Sequence, residues 1–191
     1  HERFEGRVYF TAIDVDGRII SSDLVRKPGS TLEEAMSWAG GALWDRAMGP
    51  KAWRSDLSFD KSTIESAGEG RVRFIPVKAG RRAVLLTNSF IIPEGGQENH
   101  RGIRIELSGN GERFKTRVVL ARDYMSLDQQ LYAAEVEVPP EPGVIDLSWD
   151  RFEPYGRGTT EENRFPVNGL VLDTESLPEC GLIVGPMGPL K

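Results

Sequence analysis

Between residues 101 and 155, apolar side chains recur at every second position in several successive runs. In the first run, Ile103, Ile105 and Leu107 alternate with polar residues. The later runs are Phe114, Thr116, Val118 and Leu120; Tyr132, Ala134, Val136 and Val138; and Leu147 with Trp149. Because successive side chains of a strand point to opposite faces, each run predicts a strand with one buried face. The pattern therefore predicts antiparallel strands that share a core and expose a solvated side.

Turn signals and further apolar runs extend this prediction. Ser108-Gly-Asn-Gly follows the first run, and glycine and asparagine accept positive φ at little cost, so a turn is expected there. Other strand candidates lie at 71–74, 83–92, 170–172 and 181–184. The run at 83–92 is apolar at consecutive positions, which is typical of a central strand covered on both faces.

The N-terminal quarter of the chain has a different pattern. A hairpin is expected within residues 7–25, because Asp16-Gly17 suits a tight turn between two apolar runs. A helix is expected to begin at Ser30, where Glu33 completes a capping box and apolar residues follow at helical spacing.

Composition bounds the class of protein. The chain has 191 residues, of which 39% are hydrophobic and 28% charged, as in an ordinary soluble protein with one core. We expect one domain, with residues 1–52 forming the hairpin and helix and residues 53–191 forming a β-sandwich. The formal net charge of −5 argues against a nucleic-acid partner, which needs a basic surface. No apolar run approaches the length of a membrane helix.

The single cysteine and the first residue add two expectations. Cys180 has no second cysteine with which to form an internal disulfide or a cysteine-based zinc site. The chain begins with His1 rather than methionine, as a processed chain or a fragment does. An extracellular or periplasmic location is therefore expected.

Three phrases carry a family resemblance. They are Gly-Ile-Arg-Ile-Glu-Leu-Ser-Gly-Asn-Gly at 102–111, the Tyr132-x-x-Glu135 strand, and Ile-Asp-Leu-Ser-Trp-Asp-Arg-Phe-Glu-Pro at 145–154. In this order they resemble the complex I intermediate-associated protein family and, more broadly, jelly-roll carbohydrate-binding modules with the galactose-binding-like fold. The likeness spans residues 72–184. It implies a two-sheet antiparallel β-sandwich that binds glycans or acts in protein assembly.

Charged residues on the predicted strands form the candidate glycan site. If their strands pair, one side of the sheet carries Arg104, Glu106, Lys115, Arg117, Glu135 and Glu137. Arginine supplies a rigid bidentate fork, and Tyr124 in an adjoining loop offers a stacking surface. The predicted ligand residues are Arg104, Arg117, Tyr124 and Glu135. The alternative is a solvated ladder of cross-strand ion pairs, each contributing about 0.2–1 kcal/mol.

Catalysis is not expected. The sequence has no Gly-x-Ser-x-Gly and no His-Glu-x-x-His. Glu135 with Glu137 or Asp146 could be drawn as the paired acids of a glycoside hydrolase. An open sheet face, however, lacks the apolar enclosure that raises the pKa of an acid catalyst.

Two metal sites are conceivable. The amine and imidazole of His1, together with His100, would form a copper-binding brace as in polysaccharide monooxygenases, with Phe165, Tyr155 or Tyr124 as axial neighbour. Asp14 and Asp16 lie at a calcium-like spacing. A calcium loop needs further oxygen ligands that the sequence does not supply, so a tight turn is the favoured interpretation.

Two tryptophans suggest a partner surface. Trp38 and Trp44 flank the apolar stripe of the predicted helix. They could stack on sugars or contact a protein in an assembly or scaffold role. The alternative, which we favour, is that they cover an open end of the sandwich.

Overall fold

The computed structural model describes residues 12–13, 19–21, 50–56, 59, 61–87, 100–122, 129–156, 159, 167 and 169–190. Within them lie β1 (Ala12–Ile13), β2 (Ile19–Ser21), β3 (Arg54–Ser55), β4 (Thr63–Gly68), β5 (Arg71–Ile75), β6 (Arg81–Thr87), β7 (Gly102–Ser108), β8 (Phe114–Arg122), β9 (Gln130–Val138), β10 (Gly143–Ser148), β11 (Glu153–Tyr155), β12 (Gly169–Leu177) and β13 (Leu182–Leu190). Pro50–Ala52 and Trp149–Arg151 are 3-10 helices.

The strands form two large antiparallel sheets. One has five strands in the order β10-β7-β13-β5-β4, and the other has six in the order β11-β9-β8-β12-β6-β3. The chain crosses repeatedly from one sheet to the other, as in jelly rolls. The strands β1 and β2 pair antiparallel within the segment predicted as a hairpin and form a separate two-stranded sheet. The predicted β-sandwich is confirmed.

The core lies between the two sheets and is built by the alternating runs. Ile103, Ile105 and Leu107 have no exposed surface, and they join Val118 and Leu120 in one apolar cluster. Burial of one such side chain contributes about 1.5–3 kcal/mol. The predicted inward faces of β7, β8 and β9 are confirmed, because two-residue periodicity sends every second side chain into this layer.

The turn after β7 connects the two sheets, because β7 belongs to the five-stranded sheet and β8 to the six-stranded sheet. Asn110 and Gly111 have φ of 50° and 102°, as the sequence predicted. A Cβ on Gly109 would lie 1.9 Å from the carbonyl oxygen of Glu112, so only glycine fits. The hydroxyl of Ser108 accepts a hydrogen bond from the N–H of Asn110 and donates to Pro140. The chain crosses here from the five-stranded to the six-stranded sheet.

The segment around Trp149 differs from its prediction as a strand. The strand β10 ends at Ser148, and Trp149 begins a 3-10 helix. Its indole Nε1 donates a 2.6 Å hydrogen bond to the carbonyl of His100. The ring still packs against the core, where Phe152 is fully buried. Core packing of Trp149 was therefore predicted correctly, although its backbone was not.

Several predictions fall on residues that the structure does not describe. They concern the helix from Ser30, the tryptophans Trp38 and Trp44, the calcium candidates Asp14 and Asp16, and the residues His1, Tyr124 and Phe165. The strand β6 covers the first part of the apolar run at 83–92 and has neighbours on both sides, β12 and β3. Among the described residues, no helix is long and apolar enough to span a membrane.

Candidate functional site

The predicted site residues are divided between the two sheets. Arg104 lies on β7 of the five-stranded sheet, whereas Arg117 and Glu135 lie on β8 and β9 of the six-stranded sheet. Alternation with buried neighbours points all three outward, and hence to opposite sides of the sandwich. The prediction that they share one side is wrong, because the turn at Ser108–Gly111 sends β8 into the other sheet instead of back along β7.

Arg104 makes a cross-strand ion pair. Its Nε and Nη2 each donate a 3.1 Å hydrogen bond to Asp146, on the neighbouring strand β10. About half of each side chain is exposed. This pair belongs to the ion-pair ladder that was the alternative interpretation.

Glu135 is also paired. The ammonium of Lys115 donates a 2.6 Å hydrogen bond to its carboxylate, and Arg113 pairs with Glu137 next to it. The hydrogen bond and charge of Lys115 lower the pKa of Glu135, and the same contact raises the pKa of Lys115. A lowered pKa is the opposite of what an acid catalyst needs. Glu137 pairs with Arg113, and Asp146 lies on the other sheet, so neither is arranged with Glu135 as a catalytic pair.

Arg117 borders a larger network. Its Nη2 donates a 2.7 Å hydrogen bond to Glu175, and this contact raises the pKa of Arg117. Its Nη1 lies 3.9 Å from Oδ2 of Asp173. The centre of the guanidinium lies 5.9 Å from the ring centroid of Tyr155. Arg117 thus lies between two carboxylates and the aromatic ring of Tyr155.

Asp173 is the centre of this network, and it was not among the predicted site residues. Its side chain is only 4% exposed. Nε and Nη2 of Arg82 donate to it at 2.9 and 2.8 Å, and the hydroxyl of Tyr155 donates at 3.0 Å. Burial of a carboxylate is costly unless such partners surround it. The contact with Asp173 in turn raises the pKa of Arg82.

Strand register explains why these groups meet. Asp173 on β12 lies opposite Arg117 on β8 and opposite Val84 on β6. Arg82 precedes Val84 by two residues and therefore shares its outward face. Tyr155 is carried by the edge strand β11, where it pairs with Leu131. The six-stranded sheet thus presents the network on its outer face.

A groove of about 260 Å³ runs along this outer face. Its described lining consists of Asp56, Phe59, Arg82, Val84, Leu86, Val119, Gln129, Leu131, Tyr155, Val171 and Asp173. The aliphatic residues form a largely apolar floor, in which Leu86, Leu131 and Val171 are partly exposed and Val84 and Val119 are buried. The guanidinium of Arg82 lies 4.5 Å above the ring of Phe59, a residue that is 40% exposed. Such cation–π contacts hold arginine flat against an aromatic face.

A smaller cavity of about 80 Å³ adjoins the groove at Asp173. It is lined by Lys115, Thr116, Arg117, Glu135, Asp173 and Glu175. Two of the four predicted ligand residues, Arg117 and Glu135, therefore lie beside the groove. Within the described part of the chain, no group of three or more histidine, cysteine or acidic side chains could hold a metal ion.

Comparisons with known proteins identify the fold. A family 11 carbohydrate-binding module from Clostridium thermocellum, in complex with a β-1,3-1,4-mixed-linked tetrasaccharide, is 12% identical, with a TM-score of 0.54. The match covers 77% of this chain and 95% of that one. The family 11 module of a cellulosomal cellulase of the same organism is 10% identical over 77% and 94% of the two chains, with a TM-score of 0.52. The chain has the jelly-roll fold of these modules.

Sequence comparisons, by contrast, identify no relative. No family model matches the chain, and no curated protein matches it. The narrower resemblance to the complex I intermediate-associated proteins therefore has no support from them. What the chain has in common with carbohydrate-binding modules is the jelly-roll architecture.

The jelly-roll groove combines an apolar floor with a few fixed polar groups, which is the usual composition of a small-molecule site. A sugar ring matches this combination, since its faces carry C–H groups and its edges carry hydroxyl groups. Arg82 and Asp173 nearly balance in charge, so the groove carries no strong positive field for a polyanion.

One sequence signal could have revealed this site. Asp173 directly follows the run Leu170-Val-Leu, which was predicted as a strand. A carboxylate that is buried in such a strand needs a partner. Arg81-Arg82 likewise directly precedes the apolar run of β6. Sequence alone cannot say that Arg82 is the partner of Asp173, because 91 residues separate them.

Proposed function

We propose that this protein is a non-catalytic carbohydrate-binding β-sandwich domain that binds a glycan in the groove on the six-stranded sheet. The observation that carries the proposal is the groove itself. Its described lining combines an apolar floor with Phe59, Arg82 and Tyr155, on the outer face of a jelly-roll sheet. The shared fold of carbohydrate-binding modules supports the proposal.

The groove offers each contact that a sugar needs. The C–H face of a pyranose ring packs on the partly exposed aliphatic residues of the floor and against Phe59, which is 40% exposed. Its hydroxyl groups accept hydrogen bonds from the Arg82 guanidinium, whose planar fork is already oriented by Asp173. Arg117, which was predicted from the sequence, keeps a supporting role beside Tyr155.

Charge favours an uncharged glycan. Arg82 and Arg117 are both engaged by carboxylates, and the lining carries Asp56 and Asp173 against Arg82. An acidic polysaccharide would find both guanidinium groups already paired with carboxylates. An extracellular or periplasmic location is part of the proposal, because large polysaccharides are encountered outside the cell.

Binding without catalysis also fits the arrangement of carboxylates. The hydrogen bonds from Arg82 and Tyr155 already occupy Asp173, and Lys115 occupies Glu135. A glycoside hydrolase needs one carboxyl group held protonated and a second on the other side of the bond that is cleaved. The described face of the sheet presents ion pairs instead.

Affinity electrophoresis of the full chain tests the proposal. Native gels would contain mixed-linked β-1,3-1,4-glucan, xylan, galactomannan, polygalacturonate or alginate. We expect at least one neutral polysaccharide to retard the protein, and the two acidic polymers to leave its mobility unchanged. Arg82→Met should abolish the retardation, because it removes the donors at the groove.

The control is Arg104→Met, which removes an arginine with the same bidentate contact to an aspartate from the opposite sheet, where the pair is about half exposed. It should leave retardation intact. If none of the five polymers retards the wild-type protein, the proposed function is wrong, and a protein partner at Trp38 and Trp44 becomes the next hypothesis. If Arg104→Met abolishes retardation while Arg82→Met does not, the glycan site lies on the other sheet.

A further inference from the structure

We propose that Asp173 is a positioning residue for the groove, one that holds Arg82 and Tyr155 in their binding orientations without contacting the glycan itself. This inference rests on the proposed function. It assigns a role to a buried residue that the sequence pattern did not identify. That role does not require Asp173 to contact the ligand.

The first argument is burial and saturation of the carboxylate. The Asp173 side chain is 4% exposed, so it offers a ligand almost no surface. Oδ1 accepts Nε of Arg82, while Oδ2 accepts both Nη2 of Arg82 and the hydroxyl of Tyr155. Both oxygens therefore serve protein donors. Arg82, in contrast, is 43% exposed and remains accessible from the groove.

The second argument is the placement of the partners. Arg82 comes from β6, the strand next to Asp173, whereas Tyr155 comes from β11, three places away in the sheet order. Asp173 is the group on which both side chains converge. Its carboxylate thereby fixes the two polar groups that border the apolar floor from different directions.

The third argument concerns the orientation of the arginine. A guanidinium with both Nε and Nη2 on one carboxylate cannot rotate without breaking two hydrogen bonds. The ring of Phe59, 4.5 Å below, fixes its plane as well. The pair with Asp173 uses Nε and Nη2 and leaves Nη1 outside the bidentate contact.

Loss of the Asp173 carboxylate should weaken glycan binding, because the groove would no longer be pre-organised. Without the carboxylate, Arg82 and Tyr155 would have to be ordered when the glycan binds, and each immobilised side chain costs affinity. We expect Asp173→Asn to lower the affinity for the retarding polysaccharide on the order of tenfold to a hundredfold. The substitution keeps the size of the side chain but cannot accept both the arginine fork and the phenol.

The control is Asp146→Asn. This residue accepts the same bidentate contact from Arg104, at 3.1 Å, on the outer face of the opposite sheet. The chemistry of the change is identical, and no groove residue is affected. Its affinity should equal that of the wild type, measured by electrophoresis in gels of the five polymers used above.

A double-mutant cycle separates positioning from contact. If Asp173 acts through Tyr155, then Tyr155→Phe weakens binding in the wild type but adds little in the Asp173→Asn background. Independent contacts of the two residues with the glycan would give additive losses. Should Asp173→Asn fail to fold, the wild-type protein still tests the role, because a rapidly exchanging Nε–H of Arg82 would show that Asp173 does not hold the guanidinium.

A spectroscopic readout does not depend on any ligand. The Nε–H of Arg82 should give a slowly exchanging ¹H–¹⁵N signal, assigned by its loss in Arg82→Lys. In Asp173→Asn this signal should shift and exchange faster, while Asp146→Asn should leave it unchanged.

The outcomes are distinct. A wild-type protein that binds none of the polymers overturns the proposed function and the positioning role with it, whatever the spectrum shows. Wild-type binding that Asp173→Asn leaves unchanged overturns the positioning role alone. Weakened binding with additive losses and an unaltered Arg82 signal also overturns it, since Asp173 would then contact the glycan directly.

Discussion

The hydroxyl of Tyr155 donates a 3.0 Å hydrogen bond to Asp173, although β9 and β8 lie between their strands, β11 and β12. At about 4.8 Å per strand, three intervals in a flat sheet would separate the two backbones by about 14 Å. The Tyr155 side chain therefore lies across the outer face of the intervening strands. The guanidinium of Arg117, on β8, lies 5.9 Å from its ring, which agrees with this path. A residue of an edge strand thus contributes to the lining of the groove.

The stability of the protein should depend on Asp173 far more than on Asp146. Asp173→Ala removes the acceptor of Arg82 and Tyr155, and because the Arg82 side chain is 43% exposed and can be hydrated, the loss should be about 2–3 kcal/mol. Asp146→Ala breaks a half-exposed pair and should cost less than about 1 kcal/mol. Urea denaturation followed by fluorescence measures both free energies of unfolding. Equal losses would show that Asp173 is not buried in solution.

The turn between the sheets should require glycine at position 109. A Cβ there would lie 1.9 Å from the Glu112 carbonyl oxygen, so Gly109→Ala should lower the free energy of unfolding by about 3 kcal/mol. Gly111→Ala is the matched change in the same turn. Its Cβ meets nothing within 4 Å, and only its positive φ of 102° costs about 1–2 kcal/mol. A larger loss for Gly111→Ala in urea denaturation would contradict the geometry.

The thiol of Cys180 should react slowly. Burial raises its pKa, assisted by a hydrogen bond to Glu112, and the thiol donates to the carbonyl of Gly109 at 2.9 Å. Because only the thiolate reacts, alkylation by iodoacetamide should need a higher pH in the folded protein than in urea. Glu112→Gln should shift the rate profile toward lower pH. Identical profiles for folded and unfolded protein would contradict the raised pKa.

Glu135 should titrate below its ordinary range because of Lys115. The carboxylate form is favoured in the folded state, so its contribution to stability is present above the ordinary pKa and is lost as the pH falls through the lowered one. Carboxyl ¹³C chemical shifts measured against pH report this pKa directly. In Lys115→Met the pKa of Glu135 should rise, and Arg104→Met on the opposite sheet should leave it unchanged.

Glycan binding should be insensitive to salt. Since Arg82 and Arg117 are paired with carboxylates, no net cation draws the ligand, and screening has little to weaken. Retardation by the neutral polysaccharide should persist from low salt to about 1 M NaCl, where the Debye length is about 3 Å. Binding that falls steeply with added salt would indicate that an acidic polymer is the ligand.

Strand periodicity was the part of the fold most accessible from sequence. Ile103, Ile105 and Leu107 face the core as their alternation predicted, and Asn110 adopts the positive φ expected of the turn. These features depend on residues within a few positions of one another. Trp149 was misassigned to a strand because alternation continues through it, whereas its indole bonds to His100, which lies 49 positions earlier.

The candidate site was only partly accessible. The sequence predicted that Arg104, Arg117 and Glu135 lie on one side of a sheet. In the structure, Arg117 and Glu135 lie beside the groove, whereas Arg104 lies on the other sheet. The error has one physical cause. A short turn between two strands usually makes a hairpin, and nothing local distinguishes a turn that passes from one sheet to the next.

By itself, the sequence determined that this chain forms antiparallel strands with one buried face, because side-chain alternation is a local property of the strand. Only the tertiary structure decided that Arg82 and Tyr155 would both bond to Asp173 beside one groove. The burial of a carboxylate stabilises the fold only where donors from distant strands converge on it, and that convergence depends on strand order.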